Sequence, residues 1–338
     1  MNSLSEKSNA QYPVILKIVN LKKYFPTPRG TVKAVDDISF NVLEGETLAL
    51  VGESGSGKTT TAHVILGKYT ATAGSVLYKN TEIGYMPLIK RPLWLRREIQ
   101  IVFQDPATSL NPKKTVKDIV EVAIKIHYPK LAKLERTRKL LELVEYIGLT
   151  EDYLFKLPGE LGGGEKQLIA LVRALATDPR FLILDEPTSA LDVSGQSRIL
   201  KTLLNVQRDR KLTYILITHD LAVVRNISHR VAVMYLGKIV EMAPTEELYS
   251  KPLHPYTQML LSSIPTLTEE ESKLLPKGIE SKGEIPSAIN PPPGCRFHTR
   301  CPYATETCKK IEPPDINVAS NVHVVKCWLY AEESKVKP

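Results

Sequence analysis

Apolar and polar residues alternate over Ile15 to Val19 and again over Asp37 to Val42, the period of half-buried strands. An apolar run, Thr47 to Val51, then enters a glycine-rich loop ahead of a helical stretch, giving the order strand, loop, helix. Two further short apolar runs, Phe181 to Leu184 and Tyr214 to Ile217, each end at polar residues. Buried parallel strands end in this way when a site lies at their carboxyl ends, so the centre of the chain reads as α/β. Between Gln104 and about Ala176 the period changes. Val116 to Ile126, Leu131 to Ile147 and Lys166 to Ala176 are apolar at helical spacing, with Pro158 and Gly159 as breakers, which predicts an inserted helical subdomain. Val231 to Tyr235 and Lys238 to Met242, joined through Leu236 and Gly237, predict a hairpin. Prolines then accumulate at Pro252, Pro255, Pro265, Pro276, Pro286 and Pro291 to Pro293, which reads as a linker into a tail. No internal repeat is visible.

With 338 residues, 43% of them apolar, the chain is long enough for one large domain and a smaller appendage, and a disordered or fibrous class is excluded. No stretch reaches the roughly 18 to 20 apolar residues of a spanning helix; even the segment 213–224 is broken by Thr218, His219 and Asp220. Met1 to Gln11 is polar and lacks the apolar core of a secretory signal, so a cytoplasmic protein is expected, with any membrane role exercised through partners. The formal net charge of +8 is spread thinly, with modest clusters at Lys90, Arg91, Arg96 and Arg97 and over Lys130 to Lys139; the second reads as a solvated helix face, and charge selects no partner by itself. Cysteine is more informative. All four, Cys295, Cys301, Cys308 and Cys327, fall near the carboxyl end.

Gly52-Glu53-Ser54-Gly55-Ser56-Gly57-Lys58-Thr59 satisfies G-x-x-x-x-G-K-[ST] after an apolar strand and at a helix start. Glycines let the backbone N–H groups curl around phosphate oxygens, and the helix N-terminus adds favourable potential. Lys58 is expected to bridge the β and γ phosphates, and the Thr59 hydroxyl to ligate Mg²⁺. The strand Phe181 to Leu184 delivers two adjacent carboxylates, Asp185 and Glu186, at a desolvation cost that a cation or a proton-transfer task would explain. Asp185 is the candidate Mg²⁺ ligand and Glu186 the candidate base for the attacking water. His219, at the end of the next apolar strand, is the candidate γ-phosphate donor.

Together these residues resemble the ABC ATPase family over roughly residues 14 to 250. The resemblance implies a P-loop fold with the helical subdomain at about 105–176 and an antiparallel β subdomain. It implies Gln104, in Phe103-Gln104-Asp105-Pro106, as the Q-loop and a further Mg²⁺ contact, Ser189-Ala190-Leu191-Asp192 as the D-loop, and His219 as the switch histidine. Phe25 falls where the family stacks an aromatic on adenine, and Thr60 completes the nucleotide contacts. Residues 1–13 are expected to be a flexible start, 251–330 a C-terminal extension and 331–338 a tail.

Three stretches, Gln104 to Pro112 (QDPATSLNP), His254 to Gln258 (HPYTQ) and Gly283 to Cys301 (GEIPSAINPPPGCRFHTRC), look like the ATPases of oligopeptide/dipeptide permeases. Ser189 to Ser194 (SALDVS) and Met234 to Gly237 (MYLG) are closer to the F-type than to the D-type subunit. The resemblance implies pairing with a second, D-type ATPase beneath two transmembrane permease subunits, with an extracellular binding protein delivering substrate, at the cytoplasmic face of the membrane and without nucleic acid. It also implies that Cys295, Cys301, Cys308 and Cys327 hold a [4Fe–4S] cluster. From chemistry alone, four thiolates suit Zn²⁺ as well, although no C-x-x-C is present, and thiols without a metal are a third reading. His298 and His323 read as structural.

The family signature, Leu-Ser-Gly-Gly-Gln or a close variant, acts on the ATP of the partner subunit. Here it reads Leu161-Gly162-Gly163-Gly164-Glu165, without the serine hydroxyl, and Leu168 stands where the family commonly has Arg. An asymmetric pair is expected, with ATP at Lys58 served by the partner's signature and the partner's ATP facing the weaker Gly162 motif. Importers of nickel or oligosaccharides use similar ATPases, and soluble ABC proteins form a further class; one P-loop and no sustained heptads argue against the latter.

Overall fold

The computed structural model describes residues 13–264, 283–318 and 322–331. The expected flexible start, Pro265 and Pro276 of the expected linker, and the tail from 332 lie outside the described residues. Strands β1 (Val14–Thr27) and β2 (Gly30–Leu43) pair along their whole length as an antiparallel hairpin. It is longer than the two alternating segments in the sequence suggest. Strand β3 (Thr47–Val51) feeds the loop that leads into α1 (Lys58–Leu66), and β4 (Ala73–Tyr78) and β5 (Thr81–Glu82) complete a four-stranded sheet in the order β2-β1-β4-β5.

After α2 (Leu93–Glu98), β6 (Ile99–Val102) and the short α3 (Pro106–Ser109), the chain forms the inserted helices α4 (Val116–His127), α5 (Lys133–Tyr146) and α6 (Gly163–Leu175). The Thr115 hydroxyl accepts the Asp118 N–H at 3.2 Å and so starts α4, and the stripe Val116, Val120 and Ile124 is buried, as the apolar spacing predicts. Then come β7 (Phe181–Asp185), α7 (Val193–Arg210), β8 (Thr213–Thr218), α8 (Leu221–Ile227) and the hairpin of β9 (Arg230–Tyr235) and β10 (Lys238–Pro244).

Helices α9 (Thr245–Ser250) and α10 (Pro255–Ser262) lead to β11 (Ile316–Val318) and β12 (His323–Val325). The second sheet has eight strands in the order β11-β12-β10-β9-β3-β8-β7-β6, parallel from β9 through β6 and antiparallel from β9 outward. Its central strands explain their unbroken apolar runs. Leu48 and Leu50 of β3 pack toward α1 and the smaller sheet, while Ala49 and Val51 pack toward the inserted helices, so both faces are covered. The P-loop, Asp185 and His219 thereby emerge side by side at the carboxyl ends of β3, β7 and β8.

The C-terminal extension continues this sheet: β12 pairs with β10 through Glu241 opposite Val325 and Met242 opposite Val324. The seam is polar at one point. Buried Glu241 takes the His323 Nε2 at 2.7 Å and the N–H groups of Leu253 and His254, each at 2.8 Å, while His323 Nδ1 reaches Glu247 at 3.1 Å. Among the described residues no helix is long and apolar enough to cross a membrane.

Candidate functional site

The loop between β3 and α1 owes its shape to close backbone approach. Gly52 (φ 146°) and Gly57 (φ 108°) sit in the region that favours glycine, and a Cβ on them would lie 2.1 Å from the Met234 carbonyl oxygen and 2.3 Å from that of Ala34. No side chain caps α1 at Gly57, which leaves the positive end of the helix to a ligand. Lys58 is buried and turns back into the loop, its Nζ donating to Gly52 O at 2.7 Å, Glu53 O at 3.0 Å and Ser56 Oγ at 3.3 Å. Burial pushes its pKa down, against the charges of Glu186, Asp185 and Glu53. Thr59 lies at the exposed rim with Thr60 behind it, and Ser54 and Gly55 form the open tip.

Asp185 ends β7 as a buried carboxylate that accepts the Thr59 hydroxyl at 3.3 Å. Burial raises its pKa; the Thr59 bond and Lys58 oppose this, Glu186 adds to it, and the net shift is upward. A carboxylate so destabilised as an anion fits a divalent cation beside Thr59. Glu186 follows in left-handed backbone (φ 46°) and is held from two sides: Gln104 Nε2 donates to Oε2 at 3.0 Å, and His219 Nδ1 lies 3.1 Å from Oε1. Residues 104, 186 and 219, far apart in sequence, thus meet at one carboxylate.

The signature stretch sits elsewhere. Leu161 is buried, Gly162 precedes α6, and a Cβ on Gly163 would meet Leu191 Cδ2 at 3.3 Å, while one on Gly164 would meet nothing within 4 Å. Glu165 bends back to accept the Gly162 N–H at 2.8 Å and the Tyr153 hydroxyl. The Tyr153 bond, then that of Gly162, holds its carboxyl below the usual range, so an anion caps the start of α6. Asp192 accepts the Gly195 N–H at 2.8 Å and opens α7. Of the two neighbouring aromatics, Tyr24 is committed inward through its hydroxyl to Asp36, whereas Phe25 packs edge-on against Tyr69 with centroids 5.1 Å apart and Lys23 Nζ 4.8 Å from its ring centroid. No motif surrounds Tyr69 in the sequence.

All four cysteines are free and line one small cavity together with His254, Phe297 and Trp328. Burial raises the thiols of Cys295 and Cys327 to about 12 and lifts Cys301 as well. Among the described residues no three metal-ligating side chains are gathered closely enough to hold a single ion. Buried His254 accepts the Tyr256 N–H on Nδ1 at 3.0 Å and is held neutral, its pKa pushed to about 3 by burial, so its proton resides on Nε2, which has no partner among the described residues. The extension also reaches the P-loop. Tyr256 Oη accepts the Glu53 N–H at 2.8 Å, and Arg300 forks onto the Glu53 carboxylate at 2.8 and 3.1 Å. Arg296 likewise joins Asp36 and the Leu236 carbonyl. The stretches carrying these residues stand out in the sequence, but nothing in one chain says that a residue some 250 positions downstream faces residue 53.

Residues 35–189 match the family model described as ABC transporter, and residues 240–308 match that described as Oligopeptide/dipeptide transporter, C-terminal region. The chain is 44% identical over 329 residues to the oligopeptide transport ATP-binding protein AppF of Bacillus subtilis, covering 95% of this chain and 99% of that one. It is 42% identical to OppF of Escherichia coli, covering 94% of each. Among solved structures, the ADP- and phosphate-bound dimer of the ATP-binding cassette MJ0796 has a TM-score of 0.62 at 28% identity, covering 68% of this chain and 98% of its own. CbiO1 of Clostridium perfringens gives 0.62 at 31% identity, covering 70% and 91%. With the geometry above, these matches establish that the chain belongs to the ABC transporter ATPases of the oligopeptide/dipeptide transporter family, whose ATP hydrolysis is coupled to transport.

Proposed function

We propose that this chain powers import of oligopeptides or dipeptides as one of two unlike ATPase subunits on the cytoplasmic face of a membrane, beneath two permease subunits fed by an extracellular binding protein. The single observation that carries the hydrolytic reading is the Glu186 carboxylate, held between Gln104 and His219 next to the lysine-bearing P-loop. The P-loop N–H groups and Lys58 bind the phosphates, with Lys58 exchanging its loop carbonyls for the β and γ oxygens. Glu186 orients the attacking water and takes its proton, His219 donates to the γ-phosphate, and Phe25 stacks on the base. Mg²⁺, held by Thr59, Gln104 and Asp185, would offset charge on the phosphates. Gln104, at the entrance to the inserted helices, reports the nucleotide to the permease subunits. In proteoliposomes containing both ATPases and both permease subunits, peptide-loaded binding protein should raise phosphate release, and Lys58→Ala should abolish the increase; an unchanged rate in that variant would overturn the reading.

The two ATP sites of the pair are unequal. Gly162 supplies no hydroxyl to the partner's γ-phosphate, and the Glu165 anion already occupies the start of α6. Serine fits at 162: backbone φ is −67° and an added Cβ meets nothing nearer than Glu165 Oε2 at 3.6 Å. Gly162→Ser with Glu165→Gln should therefore restore a hydrogen bond worth about 1.5–3 kcal/mol and speed turnover at the partner's site. Single-turnover assays in which only the partner retains its catalytic glutamate read that site alone; no acceleration would count against the asymmetry.

We favour a [4Fe–4S] cluster over Zn²⁺ for the four cysteines, because their spacing contains no C-x-x-C. Four thiolates can hold either group, and these four line one small cavity. A cluster there would be held by the four thiolates, and the Nε2–H of His254, without a partner among the described residues, would be available to one of its sulfurs. Chain purified without oxygen should show broad absorbance near 400 nm and about four irons, lost in Cys301→Ser. Stoichiometric zinc instead would decide for the alternative.

A further inference from the structure

Every polar group of Glu53, the second residue of the P-loop, is engaged. Its carbonyl accepts Lys58 Nζ at 3.0 Å and the Ser56 N–H at 3.2 Å, both from within the loop. Its N–H and carboxylate go outward, to Tyr256 Oη and to the Arg300 guanidinium. When phosphate draws Lys58 away, the internal tie from the lysine is given up, but the two external ones are not. They come from a packed aromatic support. Tyr256 packs on Tyr235 and Phe297 with centroids 4.6 and 5.4 Å away, and the Arg300 side chain is 7% exposed, with its guanidinium 5.6 Å from the Phe297 ring centre. A solvated ion pair contributes little, whereas a buried fork on a carboxylate fixes both distance and orientation.

The cysteine cavity shares that support. The N–H groups of Arg300 and Cys301 both donate to the Phe297 carbonyl, at 2.9 and 3.0 Å, so one turn carries the P-loop clamp and a cavity-lining thiol in adjacent residues.

We propose that Arg300, seconded by the Tyr256 hydroxyl, is a positioning residue for ATP: its fork on Glu53 holds the P-loop in its phosphate-binding shape, and the cysteine-lined turn sets the fork. The inference rests on the nucleotide reading above and extends it to a segment with no part in the reaction. The clamp acts before chemistry, so it should move ATP affinity and KM while leaving kcat near its wild-type value.

The test is equilibrium titration of the full-length chain with a fluorescent ATP analogue, with a melting curve for each variant. Arg300→Gln and Glu53→Gln should each raise Kd about tenfold, the scale of one hydrogen bond to a charged group. The double variant should be no worse than the poorer single one, because both changes cut the same tie. Arg300→Lys should recover part of the loss, and Cys301→Ser should weaken binding in the same direction. Multiplying effects in the double variant, or wild-type Kd in both single variants, would overturn the proposal. If Arg300→Gln or Glu53→Gln fails to fold, Arg300→Lys and Tyr256→Phe, which keep charge and ring, carry the test, and wild-type Kd in both sinks it. Failure of the wild-type chain itself to bind the analogue would overturn the nucleotide reading and this one with it. Wild-type binding that the variants leave untouched overturns the clamp alone.

Discussion

Glu186→Gln is expected to lower ATP turnover at this chain's site by about 10²–10⁴-fold, the range of a positioned general base, while ATP still binds. Glutamine matches glutamate in size, can still face His219 Nδ1 and Gln104 Nε2, and meets the same left-handed backbone, so the site should keep its shape. What it loses is an acceptor for the proton of the attacking water. Phosphate release and titration with a fluorescent ATP analogue, run on the same preparation, separate the two effects. Turnover at the wild-type rate would remove Glu186 from the chemistry, and a parallel loss of binding would make its role structural.

The second large effect concerns the seam between β10 and β12. Glu241 and His323 are each at most 1% exposed in side chain and paired at 2.7 Å. His323→Leu leaves the buried Glu241 charge without its ionic partner and with only the Leu253 and His254 N–H groups, which costs about 3 kcal/mol. Denaturant titration measures this. The pair also gives stability a pH dependence. Burial alone would lower the His323 pKa, but the hydrogen bond and charge of Glu241, then those of Glu247, outweigh it and hold it above the ordinary 6.5. A histidine raised on folding contributes stability that is fully present below its unfolded value and is lost as pH climbs through its folded one. The stability that His323 contributes should therefore fall from pH 6 toward pH 8 and above, so the gap in melting temperature between the wild-type chain and His323→Gln should narrow over that window. The comparison with the variant is needed because buried His63 and His254, with lowered pKa values, contribute the opposite slope. A gap that widens over that window would exclude the raised His323 pKa.

The sequence reveals what runs for several residues or repeats a known spacing. β3, β7 and β8 are legible because each is buried on both faces, and α4 because its stripe Val116, Val120 and Ile124 has the helical period. Short β5 and β6 are not, since two or four residues establish no period. The P-loop and the Asp185-Glu186 pair can be read because their chemistry is local. The convergence of Gln104, Glu186 and His219 cannot, because it depends on the order of strands in the sheet. His323, read as structural, does prove to be held by Glu241 and Glu247, though no spacing indicates either partner.

Gly52 and Gly57 approach the carbonyls of Met234 and Ala34, and Glu53 is tied to Tyr256 and Arg300. The phosphate-binding loop is thus a short piece of chain whose walls are supplied from residue 34 to residue 300. During synthesis its own residues leave the ribosome early, and most of those walls leave late. A nascent chain halted near residue 230 carries the whole G-x-x-x-x-G-K-T motif and yet lacks the hairpin and clamp that shape it. The walls of the loop are therefore complete only close to the end of translation, once the chain also carries the segment that seals its sheet edge.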